Sequence, residues 1–154
     1  MSTKVDPVPQ GKSAPTPYLT VHDGAAAIEF YKNIFGAVET LRIQEDSGRI
    51  GHAELSIGEG AIMLSDEYPE MDVRGPQTIG GSPVTLHLYV ADVDATVERA
   101  VAAGAKVVRP VADQFYGDRA GKLVDPFGHQ WFLSTHKEDI SEEEMKRRAK
   151  ELYG

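Results

Sequence analysis

The stretch YLTVHDGAAAIEFYKNIFGA (residues 18–37) decides the fold, because it returns in altered form as HLYVADVDATVERAVAAGA (residues 87–105), with one gap between the copies. Each copy opens on a short alternating run with the period of a strand. An Asp then stands where a helix N-cap is needed: Asp23 in the first copy, Asp92 or Asp94 in the second. Apolar residues follow at helical spacing (Ile28, Tyr31 and Phe35; Val93, Val97, Ala100 and Val101), and Gly36 or Gly104 ends the helix. Further strand-like runs come after each helix. In the first half these are AVETLRI (37–43), HAELSI (52–57) and AIMLS (61–65), the last two joined by the GEG hairpin (58–60). In the second half they are AKVVRPV (105–111), with a break expected at Pro110, and then GKLV and HQWFLST. Both halves therefore read strand, helix, three strands.

The composition bounds what such a chain does. Its 154 residues suit one domain or two small packed modules, and 41% hydrophobic content is enough for a core. The net charge is −8, and the only basic cluster (Lys146, Arg147, Arg148, Lys150) follows Glu142, Glu143 and Glu144. Acids first and bases last suit a solvated helix dipole rather than a nucleic-acid stripe. The apolar runs are too short to span a bilayer and the N-terminal stretch has no apolar signal region. With no cysteine in the chain, a cytoplasmic protein without membrane or nucleic-acid partners is expected.

The sequence divides into an N-terminal arm (1–15), modules at 16–66 and 83–136, a polar linker (67–82) and a C-terminal helix (137–154). The arm holds Pro7, Pro9 and Pro15 and reads as flexible or extended. Ser141 with Glu144 makes a capping box for the last helix, whose Met145, Ala149 and Leu152 share a face suited to packing on the sheets. Asp125-Pro126-Phe127-Gly128 has the residues of a type I turn and reads as a hairpin tip. His129, just past it, is expected in solvent, as is His136 at the end of the last strand, while Trp131 is expected in the core.

The paired repeats, SPVTLHLYVADVDA (82–95) and the ending FYGDRAGKLVDPFGHQW (115–131) resemble the vicinal oxygen chelate superfamily. That superfamily comprises glyoxalase, bleomycin resistance and extradiol dioxygenase proteins, and the PhnB-like branch is the most similar. The resemblance implies an α+β fold of two paired βαβββ modules, with curved mixed sheets around a cavity and the added C-terminal helix. In metal-dependent members four inward side chains, mostly His and Glu, hold the ion. The resemblance carries those positions onto Thr16, Met63, Thr85 and Phe132, none of them a good ligand for a divalent ion. No metal or other cofactor is therefore expected. A displaced site of His52, Glu54 and His87 is the alternative, since a two-residue shift along a strand keeps the same face.

Strand alternation sorts the remaining candidates. Thr16, Tyr18 and Thr20 share one face, as do His52, Glu54 and Ser56, and as do Thr85, His87 and Tyr89. Tyr and His on these faces suit a lined cavity better than a plain solvated sheet. The run Gln114 to Arg119 reads as a cover, with Gly117 and Gly121 giving it backbone freedom. Arg119 suits an anionic or planar ligand, or else a salt bridge to Asp118, Asp125 or the acidic tail. The candidate ligand-binding residues are thus Tyr18, His52, Glu54, His87, Tyr89, Gln114, Tyr116 and Arg119. Two functions follow: a metal-free homodimeric protein that binds a small molecule, or a lyase, isomerase or dioxygenase using a displaced metal or a His/Glu acid–base pair. A protein that serves only in assembly is a third. The sequence assigns no catalytic residue.

Overall fold

The computed structural model describes residues 4–154, so the first three residues of the arm lie outside the described residues. The first module contains β1 (Tyr18–Val21), α1 (Gly24–Phe35), β2 (Val38–Gln44), β3 (Ile50–Ile57) and β4 (Gly60–Asp66). A 3₁₀ turn (Pro69–Met71) and a short helix α2 (Pro76–Ile79) occupy the linker. The second module contains β5 (Thr85–Tyr89), α3 (Val93–Ala102), β6 (Lys106–Asp113), β7 (Asp118–Val124) and β8 (Gln130–His136), and α4 (Glu142–Tyr153) follows. The two sheets have matching orders, β1-β4-β3-β2 and β5-β8-β7-β6, with one parallel pair each. This is the expected α+β arrangement of two βαβββ units.

The two helices start in the same way. Asp23 accepts from the Ala26 amide and Asp92 from the Ala95 amide, each at 3.1 Å, which satisfies a free donor of the first turn. A second device repeats at the end of the last strand of each module. Asp66 accepts from the Gly24 amide (2.7 Å) and the Ile50 amide (2.6 Å). At the equivalent place Thr135 accepts from the Val93 amide and donates to the Val90 carbonyl, both at 2.8 Å. Gly36 closes α1 in the left-handed region (φ 69°), where an L side chain is strained.

One core serves both modules. Tyr31, Ile28, Leu55 and Leu64 from the first are continuous with Leu123, Trp131 and Leu133 from the second. The Phe35 and Trp131 rings lie 4.5 Å apart across the boundary. Trp131 is in the core as expected, where its indole N–H donates to Asp125 at 2.9 Å.

Several local expectations change. β6 continues through Pro110 to Asp113, because it is an edge strand and the ladder is irregular between Arg109 and Ala112, where a missing N–H costs nothing. His129 is not in solvent. It is half-buried, and its Nε2 meets the Thr20 carbonyl of the first module at 2.9 Å. On α4, Met145 and Ala149 are half-buried, but Leu152 remains 63% exposed and does not pack on a sheet. Asp118 and Arg119 belong to β7 rather than to a cover loop. Gly117 (φ 97°) does not loosen the chain there. Its carbonyl accepts from the Lys137 and Glu138 amides at 2.9 and 3.0 Å, and an added Cβ would stand 2.5 Å from the Glu138 carbonyl oxygen.

Candidate functional site

Helices α1 and α3 each pack on one face of their own sheet, and the opposite faces carry most of the polar and aromatic candidates. In the first sheet Tyr18 lies opposite Met63, and Met63 opposite Glu54. Alternation then puts His52 on the same face. These side chains form a chain of contacts: the Tyr18 hydroxyl meets His52 Nδ1 at 2.7 Å, and His52 Nε2 meets Glu54 Oε2 at 2.8 Å. The Lys12 ammonium, from the arm, stands 3.8 Å from the second Glu54 oxygen. The hydrogen bond from His52 holds the Glu54 carboxyl below the usual carboxylate range, so it is charged at neutral pH. Partial burial pushes the Tyr18 phenol up, and the Glu54 charge adds to this against a lowering contact with the Ser65 hydroxyl.

In the second sheet His87 lies opposite Phe132, and Tyr89 opposite Ser134. The His87 and Tyr89 rings are 4.8 Å apart, edge to face, and His87 Nε2 meets Ser134 Oγ at 2.9 Å. Tyr89 is 57% exposed, yet its hydroxyl donates to the buried Asp118 at 2.7 Å. His136 Nδ1 holds the other Asp118 oxygen at 2.8 Å, and His136 Nε2 holds Asp139 at 2.7 Å. Burial opposes the charge on Asp118, but the hydrogen bonds from Tyr89 and His136 outweigh it and keep the carboxyl below its ordinary value. The same contacts with Asp118 and Asp139 raise His136.

The structure thus joins Tyr18, His52 and Glu54 in one group and His87 and Tyr89 in another. Among the described residues no hydrogen bond links the two groups, and no three His, Asp or Glu side chains are gathered as metal ligands. Gln114 is held in the turn before β7, where its amide donates to the Ala112 carbonyl at 3.2 Å. Tyr116 is half-buried beside Phe115, edge to face at 5.2 Å. Arg119 lies opposite Thr135, which puts it on the helix side of the sheet, away from His87 and Tyr89. There it grips Asp94 with two hydrogen bonds (2.7 and 3.0 Å) and Asp113 with one at 3.2 Å.

Reasoning from the sequence did not single out Asp118 or His136 as partners, although the signal was present. The turn at Asp125 sets a symmetric register, and equal steps outward from it bring Asp118 opposite His136. Asp66 also went unnoticed, although MLSD (63–66) and FLST (132–135) are equivalent endings of the two modules.

A sequence model described as the Glyoxalase/Bleomycin resistance protein/Dioxygenase superfamily matches residues 14–133. The chain belongs to this superfamily. An uncharacterized protein of Mycobacterium bovis is 43% identical over 134 residues, which cover 85% of this chain and 88% of the relative. The solved structure of a gene product from Arabidopsis thaliana is 29% identical and covers 79% of this chain and 98% of its own, with a TM-score of 0.65. The PhnB protein from Bacillus cereus has the same TM-score of 0.65 at 18% identity, covering 80% of this chain and 99% of its own, and so shares the superfamily fold. The matched region ends at residue 133, before α4.

Proposed function

We propose that this chain is a cytoplasmic, homodimeric small-molecule binding protein whose ligand lies against the faces of its sheets opposite α1 and α3. The observation that carries this reading is the Tyr18–His52–Glu54 chain. It is a set of directional polar groups held on an open face, with a cleft of ≈ 470 Å³ beside Glu54. That volume suits a small ligand. His87 and Tyr89 offer a second polar and aromatic face, with Gln114 and Tyr116 near its end.

The donor set at the metal positions that the resemblance implies supports binding rather than metal chemistry. Thr16 and Thr85 offer hydroxyls, Met63 a thioether and Phe132 a phenyl ring, a poor match for a hard divalent cation. The dimer rests on exposed apolar side chains along the outermost strands: Val38, Leu41 and Ile43 on β2, and Val107 and Val108 on β6. Such edges are sites of association unless covered.

A second reading has one specific observation in its favour. His52 and Glu54 are in direct contact, and Glu54 is the partner that orients an imidazole for proton transfer, so an acid–base lyase or isomerase uses the same face.

The test is an amide-shift screen of the isotope-labelled protein against a library of small metabolites. Binding is expected to perturb β3 and β4, which line this cleft, before any other strand. Perturbations confined to the helices or to α4 would overturn the proposed location.

A further inference from the structure

The cleft beside Glu54 runs between the arm and the face of the first sheet opposite α1. Lys12, Pro15, Thr16, Glu54, Glu59 and Met63 are among its walls. Its charged groups are unequal in two ways. There are two carboxylates and one ammonium. The carboxylate of Glu54 is also fixed, whereas the ammonium is not. The Glu54 side chain is 23% exposed and its Oε2 is tied to His52 at 2.8 Å. Among the described residues its Oε1 faces only Lys12, at a loose 3.8 Å, and the Lys12 side chain is 57% exposed on a long flexible stem. Lys12 gives up little by turning into water, because an exposed ion pair of this kind contributes little.

We propose that Glu54 Oε1 is the recognition point for a protonated amine of the ligand, and that Lys12 is a built-in occupant which the ligand's ammonium displaces. The site therefore takes an organic ammonium with an apolar body. Ala61, Met63, Pro15 and Pro17 supply the apolar wall that the body covers. The fixed pole of the cleft is negative, so the complementary ligand charge is positive. An anionic ligand would have to pair with the mobile Lys12 while facing both Glu54 and Glu59. This inference rests on the small-molecule reading and assigns the charge of the ligand.

Three matched probes decide it: benzylamine, benzyl alcohol and benzoate. Each is titrated into the full-length protein while the amide signals around Glu54, Glu59 and Met63 are followed. Benzylamine is expected to bind the most tightly. Lys12→Ala is expected to raise its affinity by about two- to fivefold, the amount a weak competing ion pair withholds. Glu54→Gln keeps the shape and the partial burial, and is expected to erase the preference for amine over alcohol. Benzyl alcohol or benzoate binding as well as benzylamine would overturn the charge assignment and leave small-molecule binding intact. Weaker amine binding in Lys12→Ala would overturn the displacement. No response to any probe at these residues would overturn this inference and also count against the cleft as the ligand pocket.

Discussion

Tyr31 of the first module donates a 2.5 Å hydrogen bond to Asp125 of the second, and both residues are buried. The Asp125 carboxylate accepts three more bonds, from Trp131 Nε1 and from the Phe127 and His129 amides, at 2.9, 2.9 and 3.0 Å. A buried charge is tolerable when its lone pairs are filled in this way. Burial, and after it the charge of Asp125, push the Tyr31 phenol well above its ordinary value, so the proton stays on Tyr31. The bond thus fastens α1 to the hairpin tip of the other module.

Tyr31→Phe removes one donor to a charged acceptor and is expected to cost about 1.5–3 kcal/mol. Asp125→Ala leaves the Tyr31 and Trp131 donors buried without partners and is expected to cost more. Denaturant unfolding of the two variants checks both the size and the order. An unchanged midpoint for Tyr31→Phe would show that the modules are not fastened by this bond.

Gly24 opens α1 against the start of β3. A Cβ there would stand 2.8 Å from both Cβ and Cγ1 of Ile50 and 3.0 Å from the Asp66 carboxylate. Ile50 is fully buried, and its amide is held by Asp66 at 2.6 Å, so neither neighbour has room to retreat. Replacing glycine within a helix gains at most about 1 kcal/mol. Overpacking costs about 1–3 kcal/mol. Gly24→Ala is therefore expected to lower thermal stability, and a raised melting temperature would contradict this packing.

Asp118 and His136 make stability depend on pH at both ends. The folded pKa of Asp118 lies below its ordinary value of 3.8. Its contribution is present above 3.8 and is lost as pH falls through the folded value. The folded pKa of His136 lies above its ordinary value of 6.5, so its contribution is complete below 6.5 and is lost as pH rises through the folded value. The melting-temperature gap between wild type and His136→Gln is expected to be largest between those two ordinary values and to shrink in more alkaline solution. A gap independent of pH would show that the ion pair contributes nothing.

The order of elements was legible because each obeys a local rule. The Asp caps, Gly36 and the Asp125 turn announced their elements, and Asp125 proved to do more than turn the chain. Partners distant in sequence were harder to read. Arg119 is drawn to Asp94 because β7 passes the N-terminus of α3, a proximity no short window of sequence contains. His129 reaches the Thr20 carbonyl only because the two modules share a core. The Tyr18–His52–Glu54 chain was half legible. Alternation put the residues on common faces, but the ladder register decided that they touch.

The most direct test of a metal-free small-molecule binding dimer is native mass spectrometry of protein purified without chelator. One spectrum reports subunit count, metal and bound organic molecule together. The account predicts a mass of two 16.8 kDa chains plus an organic adduct, with the adduct depleted in Glu54→Gln. A bare single chain, or one transition metal per chain that is lost in His87→Ala or Glu54→Ala, would contradict it.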